Sequence, residues 1–435
     1  MQQSEFARRR RHLMRSMGPG SVAIVPSATE HIRNRDVYHS FRQDSDFLYL
    51  TGFKEPESVA VFIPGRKQGE YILFCREKDP AKEIWDGLRA GQEGAVEQYA
   101  ADDSFPIDDI DDILPGLMEN RERVFYTMGR TPNFDKTMMD WLNRVRGQAR
   151  MGVSAPSEFI DLDHQLHDYR LYKSRAEISA MRKAAKVSAT AHKRAMRVCQ
   201  PGMYEYQLEA EILYEFNKAG MGTAYPSIVG GGKNGCILHY IDNADRLAEG
   251  DLLLIDAGSE FDGYAADITR TFPVSGTFSE AQRELYEITL EAQLAAIEKT
   301  IPGNHWDEPH MAAVEVLTRG LKELGLLKGS VAKLIKDKAY SRFYMHRTGH
   351  WLGMDVHDVG DYKIDNEWRL LEPNMVTTVE PGLYIQPAKN IPKRFHNIGI
   401  RIEDDVLITK DGYDVLSKDV PKDVASIEAL VGSGL

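Results

Sequence analysis

Between Ser21 and about Pro156, short apolar runs rich in β-branched and aromatic residues ("SVAIV", "FLYLTGF", "SVAVFIP", "EYILFCRE", "RVFYTM") alternate with more polar, helix-compatible stretches. That alternation predicts an α/β domain with the runs as strands of a buried sheet. Ahead of it, "SEFARRRRHLMRSM" reads as a polar amphipathic helix with Phe6, Leu13 and Met17 on its inner side, and "FPIDDIDDILPG" reads as a solvated helical face. Near Leu162 to Lys173 the pattern changes. Ser174 and Glu177 form a capping box at the head of a long helix that ends by Pro201-Gly202, and a second helix covers Tyr204 to Ala219. After a β-rich passage the order recurs: Ser279 and Gln282 cap a long helix, another covers about Pro309 to Leu324, and further strands follow. The second half is therefore expected to hold two helix-helix-sheet units in tandem, a repeat of order without detailed residue identity.

A chain of 435 residues exceeds what one core usually supports, so two domains are expected, and 42% hydrophobic with 28% charged residues suits a soluble globular protein. The net charge of -12 argues against nucleic acid or an anionic membrane as partner, since both call for a basic surface. Cys75, Cys199 and Cys236 are too scattered for a disulfide framework, which points to a reducing compartment and a cytoplasmic location. The arginine-rich start lacks the apolar stretch of an export signal, and no apolar run reaches the ~18 residues of a membrane span.

Chemistry concentrates where acids interrupt apolar strands. In "DLLLIDAGSEFDGYAADITRTF" the buried-type strand Leu252 to Ala257 contains Asp256, and Asp262-Gly263 is a hairpin turn signal. A turn there sets Asp256 opposite Thr269, with Asp267 as its diagonal neighbour on the same face. Glu380 follows the strand of "NMVTTVEPGLYI", and in "IGIRIEDDVLIT" Arg401 and Glu403 share a face. An unpaired carboxylate inside a strand costs several kcal/mol, so these acids need neutralising.

The segment "HRTGHWLGMDVHDVGDY" adds His346, His350 and His357. His346 and His350 have the spacing of a helical zinc pair, but no Glu lies between them and Gly349 opposes a helix. Four carboxylates and one imidazole carry about the charge that two divalent cations balance. Oxygen-rich ligation favours manganese or cobalt, and a two-metal site with a bridging hydroxide implies hydrolysis.

Taken together, "RQDSDFLYLTGFKEPES", "GCILHY", "LLLIDAG…YAADITRTF", "HWLGMDVHDVG", "VEPGLYI" and "GIRIEDD" resemble the proline-specific aminopeptidases of the pita-bread fold, aminopeptidase P most closely, over essentially the whole chain. The resemblance implies an N-terminal α/β domain over residues 1–168, which walls the substrate pocket and makes oligomer contacts, and an α+β pita-bread catalytic domain over residues 169–435. It makes Asp256, Asp267, His350, Glu380 and Glu403 the ligands of two divalent ions, manganese first with cobalt or zinc as alternatives, and Asp267 and Glu403 the bridging pair. His239 and His357 are then the substrate histidines, Glu380 also moves a proton, and Arg401 orients the ligands. Asp36, Trp85 and Arg150 border the active site, either the chain's own or that of a neighbouring subunit in a dimer or tetramer.

The implied reaction is release of the N-terminal residue from peptides with proline second, by a metal-bridging hydroxide attacking the Xaa-Pro carbonyl. Prolidase, which shares the ligands but takes only dipeptides, and a non-catalytic peptide-binding module are the alternatives. His346 is left outside the core site, either orienting a neighbour or structural. His12, His192 and His310, in helical contexts without acidic partners, read as structural.

Overall fold

In the computed structural model, which describes residues 1–434, the first helix spans Gln3–Met17 and buries Phe6, Leu13 and Met17 as its pattern requires. Two of its arginines are buried as well. Arg9 and Arg10 donate to the carbonyls of Tyr49 and Leu50 at 3.0 Å and lie over the rings of Tyr49 and Tyr71, so half of this basic run is consumed by packing.

The chain divides into two units, Met1–His167 and Asp168 onward. The first is built on a mixed sheet in the order Asp103–Pro106, Tyr71–Cys75, Val59–Phe62, Ser21–Pro26, Arg123–Phe125, Glu158–Ile160, with helices packed on it. Four of the apolar runs supply strands of this sheet. The fifth does not: "FLYLTGF" forms the helix Ser45–Thr51. Asp44 caps it by accepting the Phe47 N–H at 2.9 Å, and every residue of the helix is buried, so no amphipathic period distinguished helix from strand. Gly52 ends the helix at φ 68°, where a Cβ would meet the Phe6 ring at 2.5 Å.

The second unit repeats helix pair and sheet. Arg175–Val198 packs with Glu205–Lys218, and Glu280–Lys299 with Glu308–Glu323. Capping boxes at Ser174–Glu177 and Ser279–Gln282 start the long helix of each pair. The strands of this unit form short antiparallel groups, three of which position the site. Leu252–Asp256 runs between Ile228–Gly231 and Thr269–Pro273, with Asp256 opposite Thr269 as the hairpin register predicts. Val376–Val379 pairs with Asp404–Thr409, and Gly382–Ile385 with Ile398–Arg401. Fully buried Arg270 joins the strands: it donates to the carbonyl of Glu403 at 2.5 Å and to the Asp404 carboxylate at 2.7 Å, while Lys422 reaches the other Asp404 oxygen at 2.7 Å. Strand ends that carry acids are thereby brought to one place and fixed there.

Candidate metal centre

Asp256 ends its strand, Asp267 precedes the partner strand, Glu380 follows Val376–Val379, and Glu403 sits between two strands. With His350 they line one cleft of about 320 Å³. Donor atoms of Asp267, His350 and Glu403 lie within 4.8 Å of one another. His350 Nε2 is 3.4 Å from Asp267 and 3.7 Å from Glu380. Its Nδ1 lies 2.9 Å from the Trp351 carbonyl, an acceptor that requires the proton on Nδ1 and makes Nε2, which faces the carboxylates, the nitrogen available to a metal ion. The backbone here tolerates only glycine beforehand: a Cβ on Gly349 would stand 2.1 Å from the Thr378 carbonyl. That close approach lets the His350 and Thr378 backbones pair, with Thr378 N donating to His350 O at 3.0 Å.

The acids crowd one another. Burial raises Glu380 to about 7 and lifts Glu403 well above the carboxylate range, the latter reinforced by Asp267, Glu380 and Asp256. Burial also raises Asp256 despite Arg401. Burial disfavours a charge on His350, yet the facing Asp267 and Glu380 raise it to about 9, and Asp267 is held low chiefly by that imidazole. Without further positive charge these groups compete for protons.

Tyr225 makes the shortage explicit. Its hydroxyl is 2.6 Å from Asp256 and 2.5 Å from Asp267, but one phenol donates one proton, so the second contact needs either a proton on a carboxylate or a cation between the two. Four buried or half-buried carboxylates around an imidazole lone pair fit divalent cations with oxygen-rich coordination. Asp46, Asp163 and His167 also cluster, but Arg130 lies 2.9 and 2.7 Å from the two acids and meets their charge.

Arg401 is anchored on three partners, Asp256 at 2.5 Å, Thr269 at 3.1 Å and Tyr384 at 3.1 Å. Thr269 in turn donates to Glu403 at 2.6 Å. His239 and His357 are exposed in the same cleft, and the rings of His357 and His350 are 4.3 Å apart. Asp36, Trp85 and Arg150 lie exposed on the first unit.

Several contributors escape sequence reasoning. Tyr225 stands just before a strand in "GTAYPSIV", with no pattern to mark it. Asp405 accepts the Asp267 N–H at 3.2 Å, and only the doubled acid of "RIEDD" hinted at it. His346 lines the cleft, with Nε2 2.8 Å from the Tyr384 hydroxyl and Nδ1 2.8 Å from the Arg347 carbonyl, and burial assisted by Arg401 pushes it down to about 3. Its two ring nitrogens thus link the Tyr384 hydroxyl to the Arg347 carbonyl. His192 and His310 are buried and bonded to the Ala257 carbonyl and the Thr348 hydroxyl.

Known proteins share this organisation throughout. Residues 179–410 match metallopeptidase family M24, and residues 6–126 match the N-terminal domain of aminopeptidase P. The chain is 45% identical to the Xaa-Pro aminopeptidase of Escherichia coli over 98% of its length and 97% of that protein. It superposes on aminopeptidase PepP of Pseudomonas aeruginosa with a TM-score of 0.98 at 60% identity, covering 99% and 98% of the two chains. An Escherichia coli aminopeptidase P variant in complex with substrate gives 0.96 at 44%, covering 99% and 98%. The chain belongs to metallopeptidase family M24, with an aminopeptidase P N-terminal domain ahead of a pita-bread catalytic domain.

Proposed function

We propose that the protein is a metal-dependent aminopeptidase that releases the N-terminal residue from peptides with proline in the second position. The observation that carries this reading is the convergence of Asp256, Asp267, His350, Glu380 and Glu403 with His239 and His357 in one cleft, in a chain with full-length similarity to Xaa-Pro aminopeptidases. The five ligands would hold two divalent ions, with Asp267 and Glu403 shared and manganese as the ion. Two such ions, once bound, supply Lewis acidity that lowers the pKa of water and polarises a carbonyl.

The chain's own residues do the rest. His350 is fixed in the tautomer that offers Nε2. Arg401 holds Asp256 in place, and Thr269 holds one oxygen of Glu403, so the ligand oxygens are preorganised. Glu380 takes up the proton that the attacking water gives up and passes it to the proline nitrogen as the bond breaks. His239 and His357 grip the substrate carbonyl from the open side and stabilise charge developing on its oxygen.

Asp36, Trp85 and Arg150 border a neighbouring subunit's site in a homo-oligomer. Trp85 is 86% exposed beside Ile84 and Leu88, an apolar patch suited to cover by a second copy. A cytoplasmic location is in keeping with three unpaired cysteines, and no helix among the described residues is long and apolar enough to cross a membrane.

The test is kcat/KM on Ala-Pro, Ala-Pro-Ala and an Ala-Pro pentapeptide with manganese. Longer peptides are expected to be cleaved at least as well as the dipeptide, because added contacts can be used in the transition state. Cleavage of Ala-Pro with the pentapeptide untouched would replace this reading with a prolidase.

A further inference from the structure

The cleft contains two arginines in very different states. Each nitrogen of the Arg401 guanidinium is held by one of the hydrogen bonds described above. Arg347 also lines the cleft, but among the described residues its guanidinium makes no ion pair and no hydrogen bond. It lies instead against Trp368, 4.7 Å from the ring centroid, and Lys363 Nζ lies 4.4 Å from the same ring, likewise without an acid partner.

The segment that carries Trp368 and Lys363 is held at several points. Lys363–Ile364 and Glu367–Trp368 form a two-stranded hairpin with Lys363 opposite Trp368, turned through Asp365 and Asn366 at φ 51° and 67°. Trp368 is tied at its carbonyl to His305 Nδ1 at 2.7 Å, and the next residue, Arg369, bonds Asp168 at 2.6 Å. The hairpin's own acids, Asp361, Asp365 and Glu367, are exposed and pair with neither cation. Floor and rim therefore have opposite character. The floor is acidic and repels a carboxylate, whereas the rim offers a planar cation with its fork of donors free.

We propose that Arg347, seated on Trp368 with Lys363 beside it, recognises a carboxylate carried by the part of the peptide downstream of proline. This inference rests on the aminopeptidase reading of the same cleft. The carboxylate has two sources, the C-terminus of a short peptide or an acidic side chain in the third position. In both cases Arg347 sets substrate preference through binding, so the effect belongs in KM more than in kcat.

The experiment compares Ala-Pro-Ala with its C-terminal amide, and Ala-Pro-Glu-amide with Ala-Pro-Gln-amide, using the manganese-loaded full-length enzyme, Arg347→Met and Arg347→Lys. Wild-type enzyme is expected to favour the charged member of at least one pair by about 3- to 10-fold in kcat/KM, the range of a solvent-accessible charge-assisted contact. Preference in the first pair identifies the C-terminus as the source, and preference in the second identifies the side chain. The ratio should fall to near 1 in Arg347→Met, persist in part in Arg347→Lys, and shrink with added salt. Equal cleavage within both pairs by wild type, or a ratio unchanged in Arg347→Met, overturns the inference alone. Failure of wild type to cleave any of the four overturns the aminopeptidase reading and this inference with it.

Discussion

Asp358, the residue after His357, has a side chain 1% exposed between two cations that are as deeply buried, Arg170 at 2.6 Å and Lys173 at 2.8 Å. The Asp355 N–H points to the same carboxylate at 3.3 Å, and the Asp358 N–H donates to the Trp351 carbonyl at 2.9 Å, so the loop carrying His357 is closed on this one group. Asp358→Asn keeps the shape and removes the charge. Breaking a buried pair from one side costs about 3–5 kcal/mol, because the abandoned charge stays buried. Arg170 retains Asp355 at 2.6 Å, so the loss falls mainly on Lys173 and the lower end, about 3 kcal/mol, applies. At about 2–4 °C per kcal/mol for a unit of this size, Tm should drop by about 6–12 °C.

Burial opposes the charge of Asp358, but Lys173 and Arg170 outweigh it and hold its pKa below the usual value. A depressed carboxylate stabilises above its unfolded pKa of about 3.9, and that stabilisation disappears as pH falls through the folded value. The gap in Tm between wild type and Asp358→Asn should therefore be full at pH 7 and narrow as pH drops below about 4. Calorimetry on metal-loaded protein, with metal content and kcat measured alongside, makes the check. We expect metal to be retained and kcat to fall by about 10-fold as His357 loses its fixed position. Lys173→Met combined with Asp358→Leu, which removes both charges, should recover most of the Tm. A shift below about 2 °C in Asp358→Asn, or a double variant as unstable as the single one, would refute the account.

Chelation should abolish hydrolysis and raise the apparent pKa values of the cleft acids, with manganese restoring activity; full turnover by protein shown by elemental analysis to be metal-free would end the two-metal reading. Glu403→Gln should lose both metal and turnover, since a shared carboxylate becomes a neutral amide. His357→Ala should keep its metal and lose kcat by roughly 10²-fold, and loss of metal there would move His357 among the ligands. Tyr225→Phe should weaken metal binding measured by calorimetry, because Asp256 and Asp267 lose the hydroxyl that spans them in the free enzyme; unchanged affinity would mean that the strands alone set their spacing.

What the sequence disclosed divides along physical lines. Asp256 and Thr269 could be placed opposite each other because a two-residue turn at Asp262-Gly263 fixes register, and every later pair follows by counting. The capping boxes at Ser174 and Ser279 are likewise local chemistry, readable within four residues. The helix Ser45–Thr51 reads as a strand in the sequence because burial on every side erases the period that separates helix from strand, leaving only the Asp44 cap and Gly52 stop as clues.

The contributors that remained hidden share a different property: they act across long sequence separations through a single polar atom. Tyr225 reaches Asp267 from 42 residues away, Thr269 reaches Glu403 from 134, and Arg170 reaches Asp358 from 188. No spacing rule encodes such contacts, because they exist only after the sheets have packed. The acids announce themselves in the sequence because a carboxylate in a strand is costly, whereas the hydroxyls and cations that make those acids affordable look ordinary until the fold brings them together. The same logic separates Arg347 from the other arginines around the cleft. Arg270 and Arg401 are spent on the scaffold, each held by several acceptors, and a cation that the fold has left without an acceptor is the one still available to a substrate.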